Sequence, residues 1–305
     1  MNDSPADGEH TSIQGVQYPL AQPASAWKRW LKVCVGKLLA LVLPSRMRLL
    51  RAGQWPSARL SKLDKQLIAV LVDEHERSGT LGALSGLHQS LWRADQAVSV
   101  HAQAEARFQT WWVGRHSAVI APLREAMTER AAAGAPVQTL CEIGCGSGSV
   151  LADIVQRLPE LDALIGLDLN QKQTEANRLR FRDQPRLRFE TADATRWIAS
   201  DAQPGWAYLV NGGVLEYFSE AMLQDLFITI ARDKAPALFM LVEPIALDYD
   251  LERETASRPY NFERSLGHNY PYWLRRCGWR VRWQKRQEVG GNCWLLLVAE
   301  TGSDA

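Results

Sequence analysis

The stretch Leu140-Cys141-Glu142-Ile143-Gly144-Cys145-Gly146-Ser147-Gly148 runs off an apolar segment into three alternating glycines. Glycines let the backbone turn tightly and let a ligand approach main chain where a side chain would collide. The spacing is G-x-G-x-G. A dinucleotide fingerprint needs G-x-G-x-x-G and favours a pyrophosphate at a helix N-terminus. Here Ser149 stands at the last position of that pattern. Glu142 separates the two further. A carboxylate beside the ligand repels a pyrophosphate and favours a cation or an ammonium group. The plainer reading, a strand-end acid paired locally, stands beside it.

Two acids follow at the ends of later apolar segments. Leu164-Ile165-Gly166-Leu167-Asp168 ends in a carboxylate 20 residues after Gly148, placed to accept both hydroxyls of a ribose. Nucleotide-binding dehydrogenases share that position, so alone it does not discriminate. Phe189-Glu190-Thr191-Ala192-Asp193-Ala194 ends the third segment. Asp193 can accept from an exocyclic adenine amine, with the next backbone N–H serving a ring nitrogen. It can equally cap a helix from Thr195 onward, since Asp is a preferred N-cap.

Around these points strand and helix patterns alternate. Strands are expected at 137–143, 163–169, 187–190, 207–211 and 237–242, and helices at 150–158, 171–180 and 221–232. A short helix at 272–277 and two strands, 279–287 and 293–300, close the chain, the strands joined by Val289-Gly290-Gly291-Asn292. The pattern predicts an α/β fold: a doubly wound, mostly parallel seven-stranded sheet with an antiparallel C-terminal hairpin. An N-terminal helical region precedes it.

With these motifs in order, residues 137–300 resemble the class I S-adenosylmethionine-dependent methyltransferases, over a little more than half of the chain. The resemblance implies S-adenosylmethionine as cofactor, S-adenosylhomocysteine as product, and no metal. It implies that Glu142 and the Gly144, Cys145, Gly146, Gly148 turn hold the methionine part. Asp168 with Leu169 would hold the ribose, and Asp193 with Ala194 the adenine. Val210-Asn211-Gly212-Gly213-Val214-Leu215-Glu216-Tyr217 resembles the fourth-strand motif, whose Asn211 and Gly212 border cofactor and substrate. The family often carries Asp near Asn211, so this chain departs from it there.

Methyl transfer needs an aligned nucleophile and, for a hydroxyl, removal of a proton. His268, in Ser265-Leu266-Gly267-His268-Asn269-Tyr270-Pro271-Tyr272, is the expected base, because histidine titrates near neutrality. A substrate hydrogen bond and a purely structural loop histidine are its other readings. Glu216 is a second catalytic candidate, and Tyr217, Tyr260 and Tyr270 are expected to shape the acceptor pocket. Glu243 either faces the site or binds a backbone N–H. The long loop 247–267, with acids, arginines and tyrosines, is the expected specificity segment. The Gly267–Tyr272 stretch looks like that of bacterial methyltransferases of sugar or natural-product hydroxyls. Expected is O-methylation of a small-molecule acceptor (a sugar, a glycolipid or a secondary metabolite). N-methylation and a non-catalytic cofactor-binding protein are the alternatives. A nicotinamide dehydrogenase is disfavoured by the glycine spacing and the hairpin.

Bulk properties narrow the partners. A formal net charge of +1 over 305 residues gives no reason to expect nucleic acid. Five cysteines without a C-x-x-C pair argue against a zinc site or disulfide framework. Residues 1–24 read as a disordered tail without a secretory signal, 25–132 as the helical region, and 133–305 as the cofactor-binding domain. The expectation is a cytoplasmic enzyme, peripheral at most to the inner membrane face, with a dimer plausible. Within the helical region, 27–43 reads as a basic amphipathic helix ended by Pro44. The run 27–51 holds Lys28, Arg29, Lys32, Lys37, Arg46, Arg48 and Arg51 and no acid. It suits a membrane surface or a partner. Against that stands the commoner case, in which the greasy side packs on the protein. The helices of 58–132, rich in Trp, read as packing helices or as an aromatic lid, with packing favoured by their spacing.

Overall fold

The computed structural model describes residues 26–52, 54, 61–94, 105, 108–260, 265–289 and 292–302, so the expected tail 1–24 lies outside them. Four helices lead: α1 (Ala26–Val42), α2 (Pro44–Arg51), α3 (Lys62–Ser78) and α4 (Ala83–Arg93). Pro44 opens α2, since its missing N–H costs nothing at a first turn. Ser61 and Asp64 form a reciprocal capping box at α3, which ends on Gly79 at φ 67°. Asp64 also accepts Arg46 through both oxygens, at 2.5 and 3.0 Å, tying α2 to α3. Met47, Leu50, Leu67, Val70, Leu71 and Leu87 form the small core of this region.

The packing expected of α1 is corrected here. Its docked side is Val33 and Gly36, not the tryptophan-bearing stripe. A Cβ on Gly36 would lie 2.3 Å from the Gln66 carbonyl oxygen, so α1 and α3 touch backbone to backbone there. Trp30, Leu31 and Leu38 are exposed.

After α5 (Ile120–Ala132) comes the alternation. It runs β1 (Thr139–Ile143), α6 (Ser149–Arg157), β2 (Ala163–Asp168), α7 (Gln171–Arg180), β3 (Leu187–Thr191), α8 (Ala194–Asp201), β4 (Ala207–Asn211), α9 (Glu220–Asp233) and β5 (Leu238–Ile245). A two-stranded ribbon, β6 (Arg258–Pro259) with β7 (Leu266–Gly267), lies inside the long loop. Helix α10 (Tyr270–Arg276) and the hairpin β8 (Trp279–Val289) with β9 (Asn292–Thr301) finish the fold. The sheet order is β3-β2-β1-β4-β5-β9-β8, with the first five strands parallel and β9 antiparallel to both of its neighbours, β5 and β8. This is the expected seven-stranded doubly wound sheet.

Strands buried on both faces place alternate residues in two cores. Leu140, Leu209 and Met240 pack with Leu123, Leu151, Trp112 and Val119 on one face. Cys141, Val210 and Phe239 pack with Leu223, Phe227 and Leu274 on the other. Trp112, Val119, Ile120 and Leu123 thus lie in the core on that face. The strand order reverses between β1 and β4. Ligands of such sheets bind outside the carboxyl ends at that switch point.

Candidate functional site

The three glycines leave β1 at this switch point, all at positive φ: Gly144 at 71°, Gly146 at 48° and Gly148 at 74°. A Cβ at Gly144 would meet Val214 at 2.6 Å, and one at Gly148 would meet the Phe189 ring at 2.7 Å. Conformation and space both demand glycine at these two positions. Asp168, at the end of β2, holds the turn by accepting the N–H of Gly146 at 3.0 Å and of Asn170 at 2.9 Å. Asn177 donates to the Gly146 carbonyl at 2.7 Å. Cys145 is buried against Gly166, so only its main chain faces outward from the turn.

Glu142 is buried, and its Oε2 has no hydrogen-bond partner among the described residues. Burial first, and the neighbouring Asp168 second, push its carboxyl well above the ordinary range. An uncompensated carboxylate next to another one calls for a cation. A ligand ammonium would complete it.

The other expected cofactor positions share this edge. Leu169 follows β2 and Ala194 opens α8. Gly212, just past β4, is exposed at φ 90° with open space where a Cβ would stand. Asp193 serves as the N-cap of α8, accepting from Arg196 N at 3.3 Å, and pairs with Arg93 at 3.4 Å. The capping reading therefore holds in the structure, and α8 is an element that the strand–helix reading left out.

The helical region reaches this edge at several points, through residues that sequence reasoning missed. Asn170 caps α7 and donates to the carbonyls of Trp92 and Ala94. Glu105 accepts from the hydroxyls of Ser147, at 2.6 Å, and Ser149, and from Arg180 at 3.0 Å. Burial opposes its ionisation, but these three donors outweigh it and hold its carboxyl below the usual range. Tyr217, the expected pocket tyrosine, is buried against His88 and Trp92 with ring centroids 5.0 and 5.5 Å away.

His116 is the most telling of the missed residues. It follows the π-turn Gln109–Val113, a feature frequent at functional sites. Its Nδ1 lies 3.2 Å from Asn211 Oδ1, and its ring packs on Trp294 at 4.6 Å and Trp111 at 5.6 Å. An Nδ1–H donated to the amide oxygen leaves the lone pair on Nε2. That Nε2 is buried without a partner among the described residues. Desolvation lowers the ring's pKa to about 4, so it is neutral at pH 7. Only its position beside the departing residue Asn211 would have found it, and that is a tertiary fact.

The acceptor-side expectations need correction. His268 is fully buried, with Nδ1 2.6 Å from the Ser257 hydroxyl and Nε2 3.1 Å from the Leu215 carbonyl. A carbonyl only accepts, so Nε2 carries the proton and Nδ1 takes the Ser257 hydrogen. No lone pair is left for a base, and burial pushes the ring down to about 3. His268 is the structural loop histidine. Glu216 is likewise engaged: its Oε2 accepts from Tyr260 at 2.6 Å and Ser265 at 2.5 Å, bracing the long loop. Tyr270 is wholly buried, its hydroxyl 3.4 Å from Glu243. Tyr260 and Tyr270 therefore serve packing rather than an acceptor pocket. Glu243 binds backbone, accepting from the N–H groups of Gly213, Val214, Leu215 and Glu216 between 2.9 and 3.3 Å. Burial raises its carboxyl to about 8 against those four donors, which favour the anion. Two clefts adjoin the long loop, one of about 490 Å³ along residues 247–252 and one of about 700 Å³ between Leu251, Glu252 and Thr255 and helix α10; they share Leu251, Glu252 and Gln284, and no glycine-turn residue lines either.

Among the described residues no group of three His, Cys, Asp or Glu side chains is arranged to hold a metal, and the five cysteines are free.

Residues 140–236 match the family model described as a methyltransferase domain. No curated protein sequence matches the chain. Solved structures similar to it include an S-adenosylmethionine-dependent methyltransferase from Clostridium acetobutylicum, 9% identical, covering 67% of this chain and 100% of that one with TM-score 0.49. Magnesium protoporphyrin IX methyltransferase from Synechocystis with bound S-adenosylhomocysteine is 15% identical, covering 68% and 97% with TM-score 0.46. The N-methyltransferase NodS from Bradyrhizobium japonicum, also with S-adenosylhomocysteine, is 14% identical, covering 59% and 87% with TM-score 0.41.

Proposed function

We propose, for a chain that carries a class I S-adenosylmethionine-dependent methyltransferase domain, that the methyl group goes to a hydroxyl of a small molecule and that His116 receives the proton. The residues present suit the cofactor. Glu142 would hold the ammonium of its methionine part, with the Gly144–Gly148 turn beside it. Asp168 and Leu169 serve the ribose, Asp193 and Ala194 the adenine, and Asn211 with Gly212 the border toward the acceptor. Each Asp168 oxygen spends one lone pair on the backbone and keeps another for a hydroxyl.

The bound cofactor supplies a methyl on a sulfonium, a good leaving group. What remains for the protein is alignment and the proton. His116 Nε2 accepts the hydrogen bond of the acceptor hydroxyl and points its oxygen. As the new C–O bond forms, the oxygen becomes an oxonium whose proton is far more acidic than an imidazolium. A ring with pKa about 4 therefore suffices as acceptor, and at neutral pH it returns the proton to water. Asn211 fixes the tautomer through Nδ1.

The observation that carries this reading is the unpartnered, buried Nε2 of His116 held at the end of β4. The test is incubation with methyl-labelled cofactor and a panel of sugars, phenols and lipid alcohols, with products located by mass spectrometry. His116→Gln is expected to lose about 10²–10⁴-fold in kcat while keeping its affinity for S-adenosylhomocysteine. Label on an amine nitrogen, or an unchanged kcat in the variant, overturns it.

A further inference from the structure

Helix α1 shows solvent an unbroken apolar face. Trp27 is 62% exposed, Trp30 67%, Leu38 66%, Leu41 79% and Val42 76%, with Leu31 and Val35 exposed beside them. At 100° per residue these positions, with Cys34, fill one arc of about 140° that holds nothing polar. The helix is about 25 Å long. The side docked on α3 is the opposite one, pinned where Gly36 meets the Gln66 carbonyl oxygen and Val70. The exposed arc is therefore fixed outward and is not spare core.

We propose that this arc lies in the surface of an anionic lipid bilayer, parallel to its plane. Charge argues for that occupant. Residues 26–51 hold seven Lys and Arg and no acid. Lys32 flanks the arc on one side by helical position, and Lys37 on the other. Cations at those margins reach anionic headgroups while the apolar arc sinks below them. The acids facing this region from α3 are Asp64, which takes Arg46, Asp73, which takes Lys37 and Arg77, and Glu74, which takes Arg51. A second copy docked face to face would instead bring the lysines of both α1 helices together. Two exposed tryptophans on one turn suit the headgroup boundary. Among the described residues no helix is long and apolar enough to cross a membrane, so contact is in-plane.

The test is co-sedimentation of the full chain with vesicles of phosphatidylcholine carrying 30% phosphatidylglycerol, and with phosphatidylcholine alone. The wild type is expected to bind the anionic vesicles at least tenfold more strongly than the neutral ones, and to weaken in 0.5 M salt. Leu38→Glu with Leu41→Glu is expected to lose more than tenfold in partitioning. Leu179→Glu, on an exposed site of α7, is expected to change nothing. Circular dichroism and S-adenosylhomocysteine affinity should be the same in all three proteins. Failure of the wild type to bind anionic vesicles needs no variant to overturn the proposal. Equal binding by the Leu38/Leu41 variant also overturns it. A dimer in sedimentation velocity that the same variant splits, without vesicle binding, assigns the face to a second copy.

Discussion

Glu142 and His116 are buried titratable groups, each with one polar atom, Oε2 and Nε2, that meets no partner among the described residues, and each points to chemistry. For Glu142 the raised pKa fixes the sign of a pH effect. Burial and Asp168 favour the neutral acid in the free protein, and pairing with a ligand ammonium favours the anion. Affinity for S-adenosylhomocysteine is therefore expected to rise with pH until the carboxyl is fully ionised. Calorimetric titration of Glu142→Gln should show a flat profile over that range and a loss of about 1.5–3 kcal/mol, roughly ten- to hundredfold. A wild-type profile as flat as the variant's would contradict the assignment. His268, unlike His116, has both ring nitrogens engaged by the protein. Its folded pKa of about 3 lies below the unfolded value of 6.5, so the unfolded chain gains a proton first as pH falls. Stability is then lost progressively as pH drops below 6.5. His268→Asn is expected to cost about 1–3 kcal/mol of stability by leaving a buried partner unmet. His116→Gln should leave the melting temperature nearly unchanged and act on kcat. Thermal melts of both variants from pH 5 to 8 check this.

Among the elements, the capping box of α3 does two jobs. Asp64 closes the cap and takes Arg46. Its burial works against the anion, but Arg46 and Ser61 prevail and hold its pKa below the ordinary value. Stability from this group is thus present above the unfolded pKa and lost as pH falls through the lower folded one. Asp64→Asn is expected to cost about 1–3 kcal/mol near pH 7, a difference that narrows in acid and shows in denaturant midpoints. Strands β1, β2, β4 and β5 were legible because each is an apolar run bounded by a helix pattern, and the glycine turn because its backbone leaves no other residue possible. Helix α8 was visible only as an alternative reading of Asp193. The orientation of α1 was not legible, because two of its sides are apolar or small. Gly36, not hydrophobicity, selects the docked side by allowing backbone contact with α3. The acceptor side was misread for a related reason. A histidine among tyrosines in a loop looks catalytic in sequence, while only packing reveals that both its nitrogens are taken. Glu105 and His116 lie 42 and 95 residues from Ser147 and Asn211, the partners they meet at the site. No local pattern links them.

For the molecule as a whole, the helical region and the sheet meet at the ligand edge. Asn170 ties α4 to β2, Glu105 reaches the turn before α6, and Arg93 pairs with Asp193. A ligand bound there is enclosed by both parts and should stabilise them together. At one hundred times its dissociation constant S-adenosylhomocysteine is expected to add about 2.7 kcal/mol, raising the melting temperature by roughly 5–10 °C. Loss of the Arg93 tie through Arg93→Ala should reduce that gain without abolishing it. The central claim is that the carboxyl edge around the glycine turn holds the methyl donor. Its most direct measurement is calorimetric titration of S-adenosylhomocysteine into the wild type and into Asp168→Ala, which removes the group that holds the turn and is proposed to take the ribose. Saturable one-site binding that falls at least a hundredfold in the variant is predicted. Equal affinity in the two proteins would contradict it.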